Sequence, residues 1–299
     1  MRWHPAHEAH AIERVNLTFQ FADAIPPKPW QALLSAISAE LPKEGFGNSF
    51  DEHEPSSTPM PVAPGRQPHI VPGGLGPLGQ FGMLAGMPPI QFVVSGRTFQ
   101  ALNGAEVREE VQLHRRRLAY SATIYNGWEA HRGRALMLLG PYLDRVLPLV
   151  SVQIVQLEYW DRFVFDGPAS EAAFGELLRE GSRYLPNFAF GVDQLWHSHV
   201  GHFMPASSGV RRLINVNVDV IDLLDAVPAG LPPGAPALQR SAGVYTMAQD
   251  TLDEGLSPND TAGMVSTLDE LHTILKAVVG DVITAEAADR ISLNARALT

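Results

Sequence analysis

Apolar and polar residues alternate over positions 14–21, where Val15, Leu17, Phe19 and Phe21 interleave with Asn16, Thr18 and Gln20. Successive side chains on a strand point to opposite faces, so this pattern predicts a strand buried on one side. Pro26, Pro27 and Pro29 then interrupt the chain. Trp30, Leu33, Leu34 and Ile37 follow with helical spacing, and Pro42 closes that segment. Before all this lie His4, His7 and His10, three residues apart. Residues 1–12 read as a frayed polar terminus, with a metal-binding tail as the alternative.

Further along, Ile90–Val94 and Thr98–Leu102 flank Ser95-Gly96-Arg97 and predict a hairpin turning at Gly96. Residues 106–125 fit strand or helix, and the basic run His114-Arg115-Arg116-Arg117 inside them reads as a solvated face. A helix is expected over 126–147, from Leu136, Leu139, Leu143 and Val146, with Asn126 as its N-cap. Residues 149–165 predict a long strand whose apolar phase slips between Ile154 and Val155, the mark of a bulge or of burial on both faces. A short helix is expected around Phe174, Leu177 and Leu178. Ile214, Val216, Val218 and Val220 alternate with polar residues and give the clearest strand; Val244–Gln249 gives another. Thr267 and Glu270 form a capping-box pattern ahead of Leu271, Leu275 and Val278, and Thr284 opens a last helix.

The fold class implied is α+β, mainly antiparallel sheet packed against helices, because the strands run in meanders rather than in βαβ alternation. The strand–helix–hairpin order recurs after residue 149, which allows a diverged duplication. The chain therefore divides into an N-terminal half, 1–148, and a C-terminal half, 149–299. The first half carries a Pro/Gly-rich insertion at 43–89, and a second such loop spans 226–239. The beads Leu75, Leu78, Phe81 and Met83 give the first insertion apolar surface to dock on a partner.

Composition narrows the chemistry. The 299 residues carry 22 Lys+Arg against 32 Asp+Glu, a formal net charge of -10 that disfavours general nucleic-acid binding. Zero cysteines exclude disulfides, thiolate metal sites and a Cys nucleophile. No stretch approaches 18 uninterrupted apolar residues, and Met1–Pro5 leads into no apolar run, so the expected location is cytoplasmic, without a membrane span. The glycines of the insertion match neither phosphate-binding pattern, and no nucleophile elbow occurs. No residue stands out as catalytic.

One cluster has metal-ligand chemistry: Trp196-His197-Ser198-His199-Val200-Gly201-His202. On a strand His197 and His199 share a face, and His202 would join them if the chain folded back past Gly201; three such imidazoles suit zinc or iron. Glu158-Tyr159-Trp160-Asp161-Arg162 mixes aromatic and charged residues, and Trp160 with Arg162 suits a binding edge.

Several pieces together resemble a sporadically distributed family of uncharacterised bacterial proteins of about this length. They are the first strand ending Phe19-Gln20-Phe21, Tyr125-Asn126-Gly127-Trp128 opening a helix, the strand through Leu157-Glu158-Tyr159, and Leu268-Asp269-Glu270-Leu271-His272 before Ile283-Thr284. The resemblance brings no catalytic residues with it and implies a role in an accessory defence or biosynthetic system. The function expected is thus a non-enzymatic protein-binding or assembly protein, engaging a protein partner or its own copy. The alternative is a metalloprotein or metal-dependent enzyme built on His197, His199 and His202.

Overall fold

In the computed structural model the described residues are 1–7, 9–55, 92–192, 194–224, 238–254, 256–258 and 260–293. Among them, ten antiparallel strands form a single sheet. They are β1 (Trp3–Pro5), β2 (Ile12–Phe21), β3 (Asn48–Pro55), β4 (Phe92–Asn103), β5 (Glu106–His114), β6 (Arg117–Ala122), β7 (Val152–Phe165), β8 (Trp196–Met204), β9 (Val210–Leu224) and β10 (Leu238–Leu252). The helices are α1 (Pro27–Glu40), α2 (Trp128–Val146), α3 (Thr261–Val282) and α4 (Ala285–Arg290). The α+β class expected from the strand pattern is what forms.

The sheet runs β3-β4-β5-β6-β2-β7-β10-β9-β8, with β1 pairing the far end of β7. In each half the last strand of the meander returns beside the first: β6 lies on β2 and β10 on β7. The two first strands, β2 and β7, pair antiparallel at the centre and join the halves into one sheet. Outward from the middle the order is β2-β6-β5-β4-β3 on one side and β7-β10-β9-β8 on the other. Helices α2 and α3 touch each other and cover one face, α2 over β6 and α3 over β7 and β10. Val15, Leu17, Phe19, Val155, Leu157, Val216 and Val218 are buried on the sheet. The phase slip in the long strand is a bulge: Gln20 and Phe21 face Ile154 and Val152, and Gln153 is passed over.

Several local expectations give way. The N-terminus is not frayed: Trp3 is fully buried, its indole donates to the Ala173 carbonyl at 3.0 Å, and β1 pairs with β7. No hairpin turns at Gly96, because β4 runs straight through it; a Cβ there would fall 2.8 Å from the Leu113 carbonyl. Residues 106–122 form two strands, and Arg115-Arg116 of the basic run make the turn between them. Arg115 donates to the Ile25 carbonyl at 3.0 Å, Arg116 to that of Ala22 at 3.3 Å and Arg117 to Gln112 at 2.7 Å. The helix expected around Phe174 is instead a pair of 3-10 turns, Ala169–Glu171 and Phe174–Glu176. The N-cap of α2 is Gly127, not Asn126. Helix α3 starts early, capped by Asp260, which accepts from the Gly263 amide at 2.8 Å. Thr267 lies inside it and Glu270 pairs with Arg212, so the capping box is not used. Thr284 does cap α4. The loop at 226–239 lies outside the described residues apart from its last two positions, which begin β10.

Candidate functional site

Alternation along β7 aims Tyr159 and Asp161 into the helical layer, in phase with the buried Val155 and Leu157. Above them lies a cavity of about 600 Å³. Its walls are Ala9–Ile12 leading into β2, Tyr125–Trp128 at the start of α2, and Ile291–Leu293 after α4. Helix α3 supplies the roof with His272, Leu275, Lys276 and Val279, spaced three and four apart and hence on one face. Gly127, at φ +97°, makes the turn that swings Trp128 inward.

Asp161 is 5% exposed, yet its carboxyl makes no side-chain hydrogen bond or ion pair among the described residues. Burial, aided by the negative charge of Glu13, raises its pKa to about 7. The two tyrosines around it keep their protons: burial pushes Tyr125 up to about 12 and Tyr159 well above its ordinary value, and the Asp161 charge adds to both. His272 is pushed down to about 4 by burial and by the cations Lys276 and Arg132, so it is neutral near pH 7. His10 is also lowered by burial, with His7 adding to the effect. The cavity thus offers one carboxyl that exchanges a proton near neutrality, flanked by hydroxyls and neutral imidazoles.

A polar frame fixes these groups. Tyr159 Oη lies 2.9 Å from His272 Nδ1, and the His272 ring stacks on Trp128 at 4.5 Å and 9°. Trp128 Nε1 donates to Asp269 at 2.6 Å, and Arg132 pairs with the same carboxylate. At the next residue of α3, Glu270 is held by Arg212. Tyr125-Asn126-Gly127-Trp128, Tyr159 of Leu157-Glu158-Tyr159 and His272 of Leu268–His272 are far apart in the chain, yet they line this one cavity. A second, smaller cavity of about 280 Å³ adjoins it at Asn126, lined by Glu109, Tyr120, His131 and Arg134. There His131 is pushed down to about 4 by burial, and its Nε2 has no hydrogen-bond partner among the described residues.

The residues singled out from the sequence lie elsewhere. His197 and His199 share the exposed face of β8, as alternation requires. The strand does not fold back at Gly201 but continues to Met204, so His202 points to the opposite face, 5.6 Å from the Tyr184 ring. The three imidazoles do not converge, and no group of three metal-ligating side chains occurs among the described residues. Trp160 and Arg162 lie on the sheet face away from the helices. Trp160 packs on Tyr245 at 4.9 Å and under Arg14 at 5.4 Å. Arg162 binds Glu13 at 3.2 Å, Asp219 at 3.1 Å and Ser241 at 3.2 Å. Leu75, Leu78, Phe81 and Met83 lie outside the described residues.

Asp161 lies between Trp160 and Arg162 in sequence but on the opposite face of the strand. The signal was present: Asp161 continues the apolar series Val155, Leu157, Tyr159, and a carboxyl on the buried phase is uncommon enough to mark a site. The chain matches no family model, no curated protein and no solved structure.

Proposed function

We propose that this protein binds a small molecule in the cavity over β7, with Asp161 as its anchor. The observation that carries this reading is a buried carboxyl, without a side-chain partner among the described residues, opening into a largely apolar cavity. Leaving such a group unsatisfied costs stability, and a bound ligand offsets that cost. The size of the cavity, its apolar walls and its few convergent polar groups are those of ligand sites. A fragment library screened by protein-observed NMR tests it. Binders should perturb Tyr159, Asp161 and His272 together, and Val279→Phe, which fills the space, should abolish them. Binders that cluster elsewhere, or none at all, would refute it.

Assembly through the sheet edge is a second reading, favoured by one observation. Edge strand β8 presents Phe203, 68% exposed, on the same face as His197 and His199. In that reading the partner is a protein or a second copy of the chain, and Phe203→Glu should lower the solution mass. A monomeric mass for the unaltered chain, with no partner recovered, would remove it.

A further inference from the structure

Resting on the binding role proposed above, we infer that the ligand is an organic amine, its ammonium group against Asp161 and its apolar body along Leu275, Val279 and Ile291. Above about pH 7 the charge at the cavity floor is negative, and the charge that acts on Asp161 is the equally negative Glu13. The guanidinium nearest in sequence, Arg162, is turned to the opposite sheet face and already engaged with Glu13 and Asp219. Lys276 lines the cavity, but its charge acts on His272 rather than on Asp161. No described cation therefore neutralises the carboxyl, and a ligand cation is what its surroundings lack.

The walls agree with this. The rings of Tyr125, Tyr159 and Trp128 line the same space, and aromatic rings attract ammonium groups through their negative faces. Tyr125 and Tyr159 stand edge to face, with ring centres 6.0 Å apart, so the two present different aspects to one guest. His10 and His272, both lowered, add no competing positive charge. Beyond the polar end the lining is Leu275, Val279, Ile291, Leu293 and Ile12, which suits a hydrocarbon or aromatic body. A carboxylate ligand would meet Asp161 with Glu13 behind it, and a neutral alcohol would leave the charge without a counterion.

The test compares phenethylamine, tryptamine and 4-phenylbutylamine, each beside the alcohol and the carboxylic acid of the same skeleton. Binding to the full chain at pH 8 is measured by calorimetry and thermal shift. At least one amine should bind ten-fold or more tighter than both its counterparts, and the isosteric Asp161→Asn variant should erase that preference. Alcohols or acids that bind as well as amines, or an amine preference that survives Asp161→Asn, would overturn the inference. The cavity reading would then stand if Val279→Phe still abolished binding. No binding by any class would sink both. The ranking of the three classes on the unaltered protein needs no variant to fold.

Discussion

The Tyr159 hydroxyl lies 2.9 Å from Nδ1 of His272, a residue 113 positions further along the chain. The contact ties the floor of the cavity on β7 to its roof on α3, and the stack of His272 on Trp128 extends it to α2. His272 is neutral near pH 7, so one partner of this contact donates and the other accepts; we predict that Tyr159 donates to Nδ1, the arrangement that leaves the imidazole proton on Nε2. Nitrogen-15 NMR of labelled histidine should show the Nε2–H form at pH 7, and Tyr159→Phe should change it while costing roughly 1–2 kcal/mol in denaturant unfolding. An Nδ1–H signal would reverse the direction of this hydrogen bond.

The titrating groups pull stability in opposite directions. His131 and His272 have folded pKa values near 4, below their ordinary 6.5, so between these limits the unfolded chain binds more protons. Their contribution is full above pH 6.5 and is lost as pH falls toward 4. Asp161 behaves oppositely: its folded pKa of about 7 exceeds the ordinary 3.8, so the folded chain holds the extra proton. Its contribution is full below pH 3.8 and is lost as pH rises through 7. Asp161→Asn should therefore stabilise the protein at pH 8, by on the order of a few kcal/mol, and steepen the loss of stability between pH 7 and 4.5. Urea unfolding across this range checks both; equal stability of the two proteins at pH 8 would contradict the raised pKa.

Arg212 on β9 holds both the neighbouring strand β10 and helix α3. Its Nε and Nη2 each donate to Asp250 at 2.7 Å, and its Nη1 donates to Glu270 at 2.6 Å. Arg212 and Asp250 are nearly fully buried, whereas the Glu270 side chain is 60% exposed. Asp250→Ala strands a buried guanidinium and should cost about 3–5 kcal/mol. Glu270→Gln should cost under about 1 kcal/mol, because water already screens that pair. Chemical denaturation of the two variants decides this, and equal losses would place the burial elsewhere.

Periodicity made only some strands legible: β2, β7 and β9 are plain in the sequence because burial on one face imposes alternation on them, whereas β1 reads as a frayed terminus and β3 lies inside the expected insertion at 43–89. Elements shaped by side-chain partners were not legible. Helix α3 begins where Asp260 caps it, and Glu270 was drawn from a capping role by Arg212, a residue remote in sequence. Gly96 looks like a turn residue, but it serves close strand approach, and only strand pairing reveals that. The site was half legible. Three motifs stood out as words, but that they face one cavity depends on β2 pairing with β7 and on α3 crossing above, which sequence spacing does not encode.

The open sheet face yields the last prediction. Gly243 on β10 sits in register between Arg162 on β7 and Asp219 on β9. Lacking a side chain, it lets the Arg162 guanidinium cross β10 and reach Asp219 at 3.1 Å. A Cβ at Gly243 would collide with the Asp219 carboxylate and lie 3.0 Å from Nη1 of Arg162. Alanine ordinarily favours a strand interior over glycine, yet here Gly243→Ala should destabilise by roughly 1–3 kcal/mol, because the added carbon wedges the ion pair apart. If that is the cause, Asp219→Ala should remove most of the penalty, since the carboxylate is the group struck. A double-mutant cycle by urea unfolding measures the coupling directly. Additive losses would show that Gly243 is needed for its backbone alone, and that the Arg162 bridge merely passes over it.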